Sequence, residues 1–285
     1  MMMSEETRKG VGMGSIRGVI SGIFPEWFQM KPSIPNWMCI GVPKAGTTSL
    51  YHALQAHPEI WMPESKETQF FSSPDYLKGV EWYLKKFYSG ADSGKAVGEL
   101  SPKYLIHRDV PKRIRKTLGK DIRFLVILRN PVDRAWSHYC HSYERFRHFS
   151  FRPTEDLSFE EALKAEPERI AQGDEYGWTH GMWLAYYFTG LYARHLKNWF
   201  RIFSREDFFI MTLEDLIDRP KETLNGITDH LGIGRFNVYP QFKKSNTYSR
   251  AGLKESTGKM LLERYRPHIE ELEELLGRKL ESWYS

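Results

Sequence analysis

Lysine, glycine and hydroxyl side chains crowd into one short stretch of this 285-residue chain, Gly41-Val42-Pro43-Lys44-Ala45-Gly46-Thr47-Thr48-Ser49. A glycine-bearing turn between a strand and a helix aims backbone N–H groups and the positive end of the helix dipole at one point, which makes an anion site. Lys44 inside the turn adds a full positive charge, and Thr47 and Thr48 add hydroxyl donors. A second cation, Arg129, stands between an apolar run and Asn130-Pro131, with Ser137 about two helical turns further on. The chemistry this implies is the binding of an anionic cofactor.

These residues need strands to launch them and helices to receive them. The apolar run 37–42 reads as a strand, and Leu50, Tyr51 and Leu54 follow the loop at helical spacing. A second buried strand is expected over 122–128, stopping at Arg129-Asn130-Pro131 and passing into a helix over 132–143. A third is expected over 208–211, followed by helices near 213–217 and 221–231. Strands alternating with helices predict an α/β fold, a P-loop-like central parallel sheet flanked by helices on both faces. The last periodic stretch, 259–276, ends at Gly277, and Pro267 is expected to kink or split it. The helical portion 159–170 reads as a solvated amphipathic helix, and 16–27 as another that packs on the body of the domain. No linker or repeat divides the chain, so the expected organisation is an N-terminal extension over 1–35 and one domain over 36–285.

The loop departs from the nucleotide-binding P-loop, because Thr47-Thr48 replaces the Lys-Ser/Thr pair after the second glycine and the lysine has moved inside, to Lys44. The second strand also ends in Arg129 where a metal-binding Asp would complete an NTPase site. Two segments, Pro43-Lys44-Ala45-Gly46-Thr47-Thr48-Ser49 and Leu128-Arg129-Asn130-Pro131-Val132-Asp133-Arg134-Ala135-Trp136-Ser137, resemble the two signatures of the PAPS-dependent sulfotransferases. The resemblance is closest to the heparan sulfate and related carbohydrate branch, through Lys66-Glu67-Thr68-Gln69-Phe70-Phe71, Gly98-Glu99-Leu100-Ser101-Pro102-Lys103-Tyr104 and Gly190-Leu191-Tyr192-Ala193-Arg194-His195-Leu196. One departure is Leu100, where many members of that branch carry a lysine; whether Lys103 substitutes is open.

The resemblance implies PAPS (3′-phosphoadenosine 5′-phosphosulfate) as sulfuryl donor, with no metal. It assigns the 5′-phosphosulfate to Lys44, Ala45, Gly46, Thr47, Thr48 and Ser49, and the 3′-phosphate to Arg129 and Ser137. Lys44 would neutralise the leaving phosphate, and Glu67, shortly before the Phe-Phe pair, would be the general base toward a hydroxyl acceptor, whether a glycan, a small molecule or a carrier-tethered intermediate. The bland reading of Glu67 is a surface carboxylate paired with Lys66. The alternative base is a histidine, among His52, His138, His141 and His180. Glu99 is expected to support the site. The loop with Tyr248, Ser249 and Arg250 lies where the family closes over the nucleotide, and 143–183, with Arg145, Arg147, His148, Trp178 and Trp183, is a candidate acceptor wall. Competing readings are a P-loop nucleotide kinase and a nucleotide-binding scaffold without activity.

Lys and Arg outnumber Asp and Glu by 41 to 36, an excess of +5 that favours an anionic ligand without calling for nucleic acid. Cys39 and Cys140 lie in apolar or aromatic stretches and read as buried free thiols. No run approaches the roughly 18 apolar residues of a membrane span, and 4–14 is too polar for a signal-peptide core. The expected location is therefore cytoplasmic, although Met1-Met2-Met3 and 12–15 resemble vector-derived residues, which leaves a removed targeting or anchor segment open.

Overall fold

The computed structural model describes residues 33–92, 94–145, 155–172, 183–242 and 250–285. Arg147, His148, Trp178, His180, Tyr248 and Ser249, and the helix expected over 16–27, lie outside them. Five strands, β1 (Trp37–Gly41), β2 (Ile60–Trp61), β3 (Ala96–Leu100), β4 (Arg123–Leu128) and β5 (Phe208–Thr212), pair in parallel in the order β2-β3-β1-β4-β5. Every residue of β1 and β3 is buried, as parallel strands covered on both faces require. Around the sheet are α1 (Thr47–Gln55), α2 (Gly79–Tyr88), α3 (Val110–Leu118), α4 (Pro131–Arg145), α5 (Phe159–Ala171), α6 (Tyr192–Phe200), α7 (Leu213–Asp218), α8 (Pro220–Leu231) and α9 (Glu255–Leu276).

The strand order matters for chemistry. β1 sits between β3 and β4, and the chain leaves it in both directions, so the loops following β1, β3 and β4 emerge side by side at the carboxyl edge. That edge therefore gathers Lys44, Ser101 and Arg129 from stretches far apart in sequence.

Two expectations are corrected. α9 is not split at Pro267 but runs through it as one helix; Pro267 is exposed, so the carbonyl freed one turn back can bond water. α5 is not merely solvated. Its Glu166 is buried and accepts backbone N–H bonds from Tyr186, Tyr187 and Phe188 at 2.8, 2.8 and 2.6 Å, which pins the 186–188 segment. Cys39 is buried, its thiol pushed up to about 12 by burial; Cys140 is half-buried, and neither is in a disulfide.

His195 on α6 is buried and donates Nε2–H to the Phe188 carbonyl at 2.9 Å. Burial lowers its pKa to about 4 from the ordinary 6.5. The unfolded chain therefore takes up a proton that the folded chain refuses, so this contribution is whole above pH 6.5 and is lost as pH falls toward 4. We expect the melting temperature to drop across that window, and His195→Gln to flatten the drop; an unchanged slope would contradict the assignment.

Candidate active site

The turn after β1 is shaped by two left-handed residues. Gly46 has φ 88, and a Cβ there would meet Leu213 Cδ1 at 2.7 Å, so glycine serves both the backbone angle and the close approach. Lys44 has φ 71, a conformation costing a residue with a Cβ about 1 kcal/mol or more. What holds it is a bond from across the edge: Arg129 Nη1 donates to the Lys44 carbonyl at 3.1 Å. The Arg129 carbonyl accepts the Tyr192 hydroxyl at 2.8 Å. The two expected anion-binding segments are thus one hydrogen-bonded unit.

α1 begins at Thr47 directly after Gly46, with no side chain capping it, so its first amides are free to meet an anion. Thr47 and Ala45 are buried; Thr48 and Ser49 are exposed. Asn130 starts α4, its Oδ1 accepting the Val132 and Asp133 amides at 3.0 and 3.4 Å, while its Nδ2 donates to the Trp283 carbonyl at 3.3 Å.

A cleft of about 560 Å³ opens beside this unit, lined by Arg129, Asn130, Asp133, Glu214, Arg250, Ser282 and Ser285. Arg250 donates to Asp133 Oδ1 at 2.5 Å and to the Ser285 carbonyl at 3.0 Å. Burial lowers the pKa of the Arg129 guanidinium, with Asp133 acting against it, so Arg129 is a partly desolvated cation suited to pair with an anion. Ser137 is buried two turns further along α4 and does not line this cleft. Asp133, Glu214, Ser282 and Ser285 were not singled out from sequence. Glu214 had a signal, because it follows a strand that ends at the same edge.

Lys66 Nζ donates to Glu67 Oε1 at 3.1 Å and to Thr48 Oγ1 at 3.3 Å, and Gln69 Nε2 donates to Glu67 Oε2 at 3.1 Å. The pairing with Lys66 is present, and the same lysine ties the carboxylate to Thr48 in the first turn of α1. Glu99 is fully buried and accepts from Thr68 Oγ1 at 2.8 Å, Tyr83 and Tyr88 hydroxyls at 2.8 and 2.9 Å, and Ser101 Oγ at 3.1 Å. It is a hub beneath the segment that carries Glu67. Lys103 lies with its ammonium over the Trp183 ring.

Of the candidate histidines, His52 is exposed at the edge of Tyr51. His138 is buried, and its Nδ1 accepts from Arg134 Nη1 at 3.4 Å because a guanidinium can only donate. Burial first, then the charges of Arg134, Lys103 and Lys44, holds its pKa well below the usual range, which makes it a poor proton acceptor.

A family model described as "Sulfotransferase domain" matches residues 35–246. Heparan sulfate glucosamine 3-O-sulfotransferase 5 of Mus musculus is 31% identical over 219 residues, 76% of this chain and 58% of that protein. Membrane-associated sulfotransferase kil1 of Dictyostelium discoideum is 26% identical over 317 residues, 86% of this chain and 66% of that protein. The chain thus spans between half and two thirds of the length of these curated relatives. The crystal structure of a sulfotransferase from Alicyclobacillus acidocaldarius superposes with a TM-score of 0.73 at 29% identity, covering 89% of this chain and all of that one.

The expected cytoplasmic location is corrected by these relatives, one of which is named as membrane-associated and others by heparan sulfate rather than by a cytoplasmic substrate. The polar start of the chain misled because it bears only on the residues given. Among the described residues no helix is long and apolar enough to cross a membrane.

Proposed function

This chain belongs to the sulfotransferase domain family, and from that premise we propose that it transfers a sulfuryl group from PAPS to a hydroxyl acceptor, with Lys44 and Glu67 in the central roles. PAPS, when bound, supplies the sulfuryl group and a phosphate leaving group. The donors here fit such a ligand: amides at the start of α1, the Lys44 ammonium and the Thr47 and Thr48 hydroxyls toward one anionic end, Arg129 and Arg250 toward the other, while Ser137, buried along α4, stays an expectation of the resemblance alone. The observation that supports the reading most is the 3.1 Å bond from Arg129 to the Lys44 carbonyl, which brings both ends to one edge of the sheet.

In this reading Lys44 holds positive charge where negative charge grows during displacement. Glu67 accepts the acceptor hydroxyl's proton at a carboxylate oxygen. The 3-O-sulfotransferase relatives are named for transfer to a glucosamine oxygen, which makes glucosamine-bearing glycans the first acceptors to try.

A thermal-shift titration tests the donor. Adenosine 3′,5′-bisphosphate at a hundredfold over its Kd should stabilise wild type by about 2.7 kcal/mol. Arg129→Ala should weaken that binding about tenfold, the worth of one charge-assisted hydrogen bond, and Lys44→Ala should weaken it as well. Stabilisation by ATP with Mg²⁺ and not by the bisphosphate would overturn the donor assignment in favour of a kinase.

A further inference from the structure

Lys66 has no part in the reading above except as the neighbour of Glu67, yet its ammonium stands between the two functional segments. Its side chain is 23% exposed, and two of its three N–H donors go to Thr48 Oγ1 at 3.3 Å and Glu67 Oε1 at 3.1 Å. Thr48 is the second residue of α1, where helix amides face the expected phosphosulfate. An ammonium hydrogen-bonded to that hydroxyl is within a short rotation of anything the α1 terminus holds. Glu67 stays in place without it, because Gln69 Nε2 holds its other oxygen at 3.1 Å.

We propose that Lys66 is a positioning residue that changes partner, holding Glu67 when the loop is empty and turning to a sulfuryl oxygen of the donor when the loop is filled. This rests on the donor and base assignments made above. The physical logic is competition for one cation. With the loop empty, the carboxylate is the strongest anion within reach. A bound sulfuryl group places a second anion beside Thr48, and the ammonium is then shared or transferred, which leaves Glu67 with a free lone pair for the acceptor's proton. Binding of donor and release of the base become reciprocal, since whatever loosens the Lys66 to Glu67 pair must strengthen the grip on the donor by the same factor.

The consequence can be measured by binding alone, without any acceptor. PAPS and adenosine 3′,5′-bisphosphate differ only in the sulfuryl group, so their Kd values on each variant isolate what touches it. Calorimetric titration of Lys66→Met should show PAPS weakened about tenfold and the bisphosphate less than about twofold. Lys66→Arg should keep most of the preference for PAPS. Glu67→Gln, which removes the competing charge, should tighten PAPS by about two- to fivefold and leave the bisphosphate unchanged. Equal weakening of both nucleotides by Lys66→Met would make Lys66 an ordinary phosphate contact, and no weakening of either would make it a surface partner of Glu67; both results overturn the proposal. Wild type that binds neither nucleotide would overturn the donor assignment itself, a failure distinguishable from the other two.

Discussion

Glu67→Gln is expected to cut the rate of sulfuryl transfer by about 10² to 10⁴, the usual worth of a positioned general base, while leaving bisphosphate binding intact. The amide keeps the shape, and its one oxygen can still accept from Lys66 or from Gln69, which now hold one carboxylate oxygen each at 3.1 Å, but it cannot take a proton. The measurement is transfer of labelled sulfuryl from PAPS to a glucosamine-bearing glycan, run beside a binding titration so that loss of donor affinity is not mistaken for loss of chemistry. Transfer within about twofold of wild type would return Glu67 to the role of a surface carboxylate paired with Lys66. The base would then have to be sought elsewhere, and His138 is a poor substitute, because its neighbours Arg134, Lys103 and Lys44 disfavour any further positive charge.

The second large effect is on stability. Glu99→Leu is expected to destabilise the fold by about 2–4 kcal/mol, seen as a lower urea midpoint and a melting temperature reduced by about 2–4 °C per kcal/mol. Leucine fills much of the space, but it strands the hydroxyls of Thr68, Tyr83, Tyr88 and Ser101, all of which donate to Glu99 in a site without solvent. Tyr83 and Tyr88 can still bond each other at 3.0 Å, and Thr68 can turn to Tyr104 at 3.2 Å, which caps the loss. Burial, with the Glu99 charge behind it, pushes the pKa of Tyr83, Tyr88 and Tyr104 well above the usual range, so these phenols stay protonated at any pH where the protein folds. A change below about 1 kcal/mol would mean that water or a rearranged network replaces the carboxylate. Because Thr68 adjoins Glu67, the same variant should also lower transfer without touching the reacting groups directly.

What could be read from sequence follows from how each strand is buried. β1, β4 and β5 are continuous apolar runs and announce themselves. β3 does not, because two of its five residues are Gly98 and Glu99, and both are explained only by residues far away. A Cβ on Gly98 would collide with the Trp37 ring and carbonyl of the neighbouring strand, so the indole supplies the bulk that the glycine lacks. Glu99 is tolerated inside because hydroxyls from two other segments, Thr68 and the α2 tyrosines, converge on it with that of Ser101 just past the strand. β2, at two residues, is too short for any pattern.

The site was legible in the same uneven way. Lys44 and Arg129 sit at strand ends with turn chemistry beside them, and the sheet order then sets those ends next to each other. Asp133 lies beside Arg129 on the same segment, but Glu214, Ser282 and Ser285 reach that cleft only through that order and through the return of the chain after α9, neither of which a local pattern carries. The role of Lys66 was hidden for a different reason: Thr48 is 18 residues away in sequence and in contact only across the folded loop.

The bond from Arg129 to the Lys44 carbonyl also bears on how the enzyme empties itself. If the donor is held as proposed, a spent nucleotide gripped at both ends by this joined unit cannot peel away from one end alone, because slack at the arginine is slack in the loop. On that reading its departure is one concerted event, of the kind that sets turnover in many enzymes.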